Sequence, residues 1–322
     1  MFRVGIIGCG KIAESHLAAM KEIPDVAVVA ACDINPENCE RIAAETGAKT
    51  YQQYEDMLRD GNMDLVIIAL PPALHKDCAC KCARYGINIF LEKPMAITSR
   101  ECKDIIEACE TNRVFLWVGH IQRYMPTHRL AKQLVESGKY GKLMAITETR
   151  NGAYPGKSTL KWLMDKKIAG GGIMFNLGAH TFDTIRYLSG SEVDTVQGRM
   201  VYNGNSVEDG AFGSLVMKDG VVANFQLSGR ASAYKYEITL YLTEGEIRIV
   251  PFSHVEACGR DGKFEIIPFP ENESQDNRLL QMQAVIDAVK NHREPVVSGL
   301  YGMRNIEIYE ALQAASQQHT QL

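Results

Sequence analysis

A short apolar run over residues 3–8, Arg-Val-Gly-Ile-Ile-Gly, opens directly onto Gly8-Cys9-Gly10-Lys11-Ile12-Ala13, and a helical stretch follows through about Lys21. A G-x-G-x-x-A turn between a strand and a helix leaves few folds open. Gly8 lets the chain turn tightly off the strand. Gly10 leaves room for a pyrophosphate to approach the N–H groups at the helix N-terminus, and Ala13 allows close helix–sheet packing. Gly8, Gly10, Lys11, Ile12 and Ala13 are the expected cofactor contacts.

The next strand, Val26–Cys32, ends at Asp33. A carboxylate there can accept hydrogen bonds from the adenosine ribose hydroxyls and would repel a 2′-phosphate. NAD is the expected cofactor, with NADP as the alternative; the same aspartate could also cap the helix after Asn35-Pro36. Met63–Leu70 is apolar almost throughout, as expected for a central parallel strand covered on both faces. It stops at Pro71-Pro72, and ligands in such sheets gather beyond the strand C-termini. Pro72 and His75 are therefore expected on the cofactor side. The strand Ile87–Leu91 delivers Glu92-Lys93-Pro94 to the same edge. Glu92 and Lys93 join the expected cofactor set, and Lys93 is also the leading catalytic candidate. Val114–Val118 closes a parallel sheet, which predicts a dinucleotide-binding domain over 1–120 and a second domain over 121–322.

In the second half, Gly170-Gly171-Gly172 leads into a helix-like run through Asp183. Three glycines let the backbone pass close to a ligand or to another segment. Asn176, His180 and Asp183 are expected on one helical face. From 193 onward, strand-like segments at 193–202, 208–217, 221–229, 234–242, 245–250 and 263–267 predict a large, mostly antiparallel sheet. Helices near 276–291 and 299–317 finish the chain. The fold class is thus α/β: a parallel sheet, then an α+β domain with an open sheet.

The 322 residues are 46% hydrophobic and 23% charged, enough apolar material for two cores. A balance of 35 basic against 39 acidic residues, net −4, offers no electrostatic footprint for nucleic acid. No run of 18 apolar residues predicts a membrane span. The start of the chain lacks a secretory pattern, so a cytoplasmic location is expected. The nine cysteines are read as reduced thiols. Cys78, Cys80 and Cys82 are read as small residues of a helix, because a structural zinc site wants four convergent ligands in another spacing. No metal site is expected.

Taken in order, Gly8-x-Gly10-x-x-Ala13, Asp33, Pro72 with His75, Glu92-Lys93-Pro94, Gly119-His120-x-x-Arg123 and Gly170-Gly171-Gly172 through His180 and Asp183 resemble the glucose–fructose oxidoreductase / inositol dehydrogenase / MocA-like family. The resemblance covers nearly the whole chain. It implies hydride transfer between a nicotinamide cofactor and a secondary alcohol or ketone of a sugar, inositol or related polyol. It also implies a cis Lys93–Pro94 bond and assembly into homodimers or homotetramers. Lys93 would bind the reacting hydroxyl, and His180 would take or give its proton, the two facing each other across one cleft. Arg123, Tyr154, Lys157, Trp162, Asn176 and His180 fall where such proteins place substrate-facing residues. The family's usual residue at 176 is aspartate. Asn176 departs from it and leaves a cofactor-binding regulator as the alternative function.

Overall fold

The computed structural model describes residues 1–154, 156, 160–271 and 274–318. The chain divides into two compact units, Met1–His120 with Arg278–Ile306, and Ile121–Asn277 with Glu307–Leu322.

The first unit alternates β1 (Phe2–Ile7), α1 (Lys11–Lys21), β2 (Val26–Cys32), α2 (Pro36–Thr46), β3 (Lys49–Tyr51), α3 (Tyr54–Asp60), β4 (Leu65–Ile68), α4 (His75–Arg84), β5 (Asn88–Leu91), α5 (Ser99–Asn112) and β6 (Leu116–Val118). All six strands run parallel in the order β3-β2-β1-β4-β5-β6. The order reverses beside β1, the position where open α/β sheets bind nucleotides. Side chains on both faces of the middle strands are sealed: Val4, Ile6 and Ile7, all of Leu65–Ile68, and Ile89–Leu91 are each at most 1% exposed. Continuous apolar strands, rather than alternating ones, follow from that double coverage.

The second unit holds α6 (Pro126–Glu136), β7 (Leu143–Ala153), the single-turn helices α7 (Lys166–Ala169) and α8 (Ile173–Asn176), and α9 (Gly178–Ser189). Then come β8 (Val193–Val201), β9 (Gly210–Met217), β10 (Val222–Ser228), β11 (Arg230–Leu242), β12 (Gly245–Val250), β13 (His254–Gly259) and β14 (Glu265–Ile267). The eight strands are ordered β14-β13-β12-β11-β7-β10-β9-β8, and every pair is antiparallel except β7 with β10. In β11, Tyr236, Ile238, Leu240 and Leu242 are buried, while Glu237 and Tyr241 face out, the period-2 pattern of a sheet with one covered face.

Three features depart from the sequence expectation. First, β13 was not anticipated: His-Val-Glu-Ala-Cys-Gly is short and mixed in polarity, and its pairing with β12 and β14 supplies the order. Second, helices α10 (Asn277–Lys290) and α11 (Gly299–Gln318) do not belong wholly to the second unit. The segment from Arg278 to Ile306 completes the first. There Val118 N–H donates to Val297 O at 2.9 Å, Trp117 bridges Ser298, and Gly299 sits against Leu116 and Ile106. Third, the glycine-led helix is not continuous. α8 ends at Asn176, α9 begins at Gly178, and His180 N–H bonds to Leu177 O in a tightened turn. Asn176 and His180 thus sit on separate helices.

The triple glycine has a packing cause. A β-carbon at Gly172 would overlap the backbone of Glu208, and one at Gly171 would overlap Phe175 and the Tyr309 ring. Because the obstacle at Gly172 is main chain, it cannot swing aside. Gly172→Ala is expected to lower unfolding free energy in urea by about 2–4 kcal/mol. A loss below about 0.5 kcal/mol, the range of a neutral surface change, would contradict the close approach.

Candidate active site

The carboxyl edge of the parallel sheet is fastened by its own main chain. Gly8 turns off β1 at φ +89°, its N–H donates to Cys32 O at 2.8 Å, and Ala69 N–H donates to Ile7 O at 2.8 Å. A β-carbon at Gly8 would come within 2.6 Å of Ala69 O, so glycine is required here on two grounds, conformation and space. Asp33 spans the turn: Oδ2 accepts Cys9 N–H at 2.8 Å, and Oδ1 accepts Asn35 N–H at 2.9 Å. Asn35 itself caps α2 through Glu37 N–H. Gly10 caps α1 with no side chain, and a β-carbon placed on it would meet nothing within 4 Å. An open cradle in front of helical N–H groups fits a pyrophosphate, with exposed Lys11 and Ile12 at its rim. Burial raises the thiol pKa of Cys9, and that of Cys32 to about 12. These are unreactive core thiols.

Beyond β4 and β5, two buried histidines clamp the chain. His75 is fully buried. Its Nε2 faces Leu70 O at 2.7 Å, and its Nδ1 faces Pro94 O at 3.0 Å and Met95 O at 3.2 Å. Burial lowers its pKa, and a neutral imidazole donates to one side at a time. The ring therefore works between two strand-end loops, and Pro72 lies buried in the turn before it. The Lys93–Pro94 bond is cis, as the resemblance implies. Glu92 is turned inward: Oε1 meets His16 Nε2 at 2.8 Å and Arg278 Nη1 at 3.2 Å, and Oε2 accepts Lys93 N–H at 3.2 Å. Burial opposes ionisation of Glu92, yet the His16 hydrogen bond and the neighbouring positive charges hold its pKa down to about 2. Burial also drives the His16 pKa down, so the full positive charges near Glu92 at neutral pH are those of Arg278 and Lys93. Lys93 is half-buried.

In the second unit, residues 178–186 of α9 are buried on every side, His180 included. Arg123 is buried and paired within this unit. Its Nη2 donates to Asp183 Oδ1 at 2.5 Å, and its guanidinium lies 5.3 Å from the Tyr187 ring centre. Tyr154 is buried, with its phenol pKa raised by burial and its hydroxyl within reach of Asn176. Asn176 and Trp162 are half-buried. Lys157 lies outside the described residues. Among the described residues, no group of three or more His, Cys, Asp or Glu side chains is placed to hold a metal ion. None of their helices is long and apolar enough to cross a membrane.

Four residues with evident roles escaped sequence reasoning. His16 follows Ala13 by three residues on the buried face of α1, alongside Leu17 and Met20. A polar residue in that apolar stripe was the available signal. Arg278 reaches Glu92 from far along the chain, which no local pattern encodes. Glu208 accepts Phe175 N–H at 3.1 Å and Tyr309 Oη–H at 3.3 Å, and so holds α8. Glu148 sits at an inward position of β7 and accepts Thr181 Oγ1–H at 2.7 Å, while its Oε2 finds no partner among the described residues.

Burial raises the Glu148 pKa to about 7. The folded chain then holds a proton that the unfolded chain releases near pH 4.5, so stability should fall as pH rises from about 4.5 to 7. Glu148→Gln keeps an acceptor for Thr181 and removes the ionisation. The variant should match wild type near pH 4.5 and exceed it above pH 7 by on the order of 3 kcal/mol in urea unfolding. Parallel pH curves for the two proteins would contradict the buried carboxyl.

Residues 2–120 match the oxidoreductase family with an NAD-binding Rossmann fold, and residues 128–248 match the GFO/IDH/MocA C-terminal domain. The chain is 27% identical over 321 residues to scyllo-inositol 2-dehydrogenase (NAD(+)) of Bacillus subtilis, covering 95% of this chain and 91% of that one. It is 26% identical over 278 residues to 2,7-anhydro-N-acetylneuraminate hydratase of Mediterraneibacter gnavus, covering 84% and 73%. Levoglucosan dehydrogenase, solved with NADH and levoglucosan, shares the fold at a TM-score of 0.90 and 21% identity over 99% of this chain and 98% of that one. With both halves matched in order, the chain belongs to the GFO/IDH/MocA oxidoreductase family.

Proposed function

We propose that this protein is an NAD-dependent dehydrogenase acting on a secondary alcohol of a sugar, inositol or related polyol. The observation that carries the reading is the delivery of Lys93 by β5 to the same sheet edge as the glycine turn, in a chain whose family binds NAD there. Bound NAD supplies the hydride acceptor, C4 of the nicotinamide. His180 takes the hydroxyl proton as the carbinol hydride departs, and returns it when a ketone is reduced. The Lys93 ammonium stabilises the alkoxide that develops on the same oxygen. Asn176 and Tyr154 orient the substrate with neutral hydrogen bonds, since an amide cannot supply the family's carboxylate. Trp162 completes the substrate-facing set. Asp33, whose carboxylate can accept the adenosine ribose hydroxyls and would repel a 2′-phosphate, sets the preference for NAD over NADP.

A panel of inositols, aldoses and sugar acids, followed by NADH and NADPH absorbance, should show turnover with NAD. Lys93→Met should lower kcat by roughly 10²–10³-fold while NADH fluorescence titration shows retained binding. Wild-type turnover in that variant would remove lysine from the chemistry. Conversion of a sugar without net NADH formation would replace net oxidation with a hydratase-type outcome.

The assembly proposed for the chain is a homodimer or homotetramer joined through the open face of the eight-stranded sheet. Val216, Val222, Ala145 and Tyr241 are in register across four adjacent strands. Three of them are exposed apolar side chains on that face, with exposed Phe212 two outward positions further along β9. An apolar row of that kind suits a second copy of itself. Sedimentation should give a dimer or tetramer for wild type and a shift toward monomer for Val222→Glu. A monomeric wild type would exclude the assembly.

A further inference from the structure

The loop that carries Lys93 is gripped at its first peptide by a carboxylate that is itself held by two separate parts of the chain. Glu92 Oε2 accepts the Lys93 N–H. Its Oε1 is held by His16, from the helix that follows the glycine turn, and by Arg278, from the start of α10. The fit around this carboxylate is tight on every side. His16 is fully buried and packs edge-on against Phe90 at 5.0 Å between ring centres. Arg278 is braced by Gln281 at 3.2 Å. A β-carbon on Gly119 would come within 3.1 Å of Glu92 Oε2, so this glycine leaves the room that the carboxylate occupies.

We propose that Glu92, held by His16 and Arg278, is a positioning device that locks the Lys93 peptide to the cofactor-binding helix. It fixes the lysine relative to bound NAD without touching substrate. The inference rests on the reading of Lys93 as the group that meets the reacting hydroxyl. Three physical points support it. A carboxylate buried this deeply is stable only when paired and hydrogen-bonded, and here all the bonds converge on one peptide and two anchors. His16 stands on α1 one turn beyond the pyrophosphate cradle, so any tilt of that helix is passed to Glu92 through a single hydrogen bond. The opposite side of the same loop packs against the fully buried His75 ring, whose Nδ1 lies 3.0 Å from Pro94 O and 3.2 Å from Met95 O. Misplacing a reacting group by about 1 Å can cost about 10²-fold in rate.

The test separates positioning from mere stability. Gln reproduces the Nε2 donor of histidine, whereas Leu fills the space without a donor. His16→Leu should lower kcat about tenfold or more with NADH affinity, by fluorescence titration, essentially that of wild type. His16→Gln should restore most of the lost kcat. Arg278 is partly exposed, so Arg278→Gln offers a second, milder route and should lower kcat in the same direction if His16→Leu does not fold. Wild-type kcat in either folded variant would overturn the inference, as would a kcat loss that Gln at 16 leaves unrepaired or that tracks a matching loss of NADH binding. Lys93→Met, measured in parallel, keeps the two readings apart. A dead Lys93→Met with an unaffected His16→Leu removes the positioning device alone, and an active Lys93→Met removes the role of the lysine.

Discussion

Strand ends carry polar main chain that the sheet no longer satisfies, and the cofactor edge of this protein depends on how those groups are tied off. At β1 the Gly8 N–H goes to Cys32 O, and the Cys9 N–H goes to the Asp33 carboxylate. One aspartate thereby joins the ends of β1 and β2 and still presents its carboxylate at the edge, half-buried. Only a turn at φ +89° brings these groups together, and the same turn leaves the first N–H groups of α1 facing the open space in front of Gly10. A rigid edge with donors aimed outward is what a dinucleotide needs, because ordering the loop at the moment of binding would consume affinity.

The neighbouring strand ends follow the same logic with side chains. His75 spans the loops after β4 and β5, and Glu92 is drawn inward by His16 and Arg278. Charged and polar groups are normally expelled from cores. Here His75 faces backbone carbonyls, Glu92 accepts the Lys93 N–H, and His16 and Arg278 are bonded to Glu92. Helix α9 in the second unit shows a related economy: Arg123 neutralises Asp183, and Thr181 bonds to Glu148, so the helix that bears His180 can be buried on all sides.

Much of this was legible in the sequence. The parallel sheet was readable because sealed strands must be apolar throughout, as in Leu65–Ile68, and the open sheet because half-covered strands must alternate, as in Tyr236–Leu242. The glycine turn and the positions of Asp33 and Lys93 were readable because each lies at a strand end. What stayed hidden was set by partners distant in sequence. The return of Arg278–Ile306 to the first unit depends on Val118, Leu116 and Glu92, none of which marks residue 278 in advance. The break at Leu177 arises where α8 is held by Glu208, and periodicity alone reads straight through it. Gly171 and Gly172 carried a readable demand for close approach, but only the fold reveals that the approaching groups are Glu208, Phe175 and Tyr309 rather than a ligand.

The family match gives the first unit an NAD-binding Rossmann fold and leaves the reaction to be carried by a few side chains. The central claim is direct hydride transfer from a carbinol carbon to that cofactor. The most direct measurement uses the polyol or sugar that turns over fastest, deuterated at its carbinol carbons, incubated with NAD and followed by mass spectrometry of the reduced cofactor. The account predicts one deuterium on the nicotinamide ring and a ketone product that has lost it. Reduced cofactor without label, or label released to water, would contradict the account.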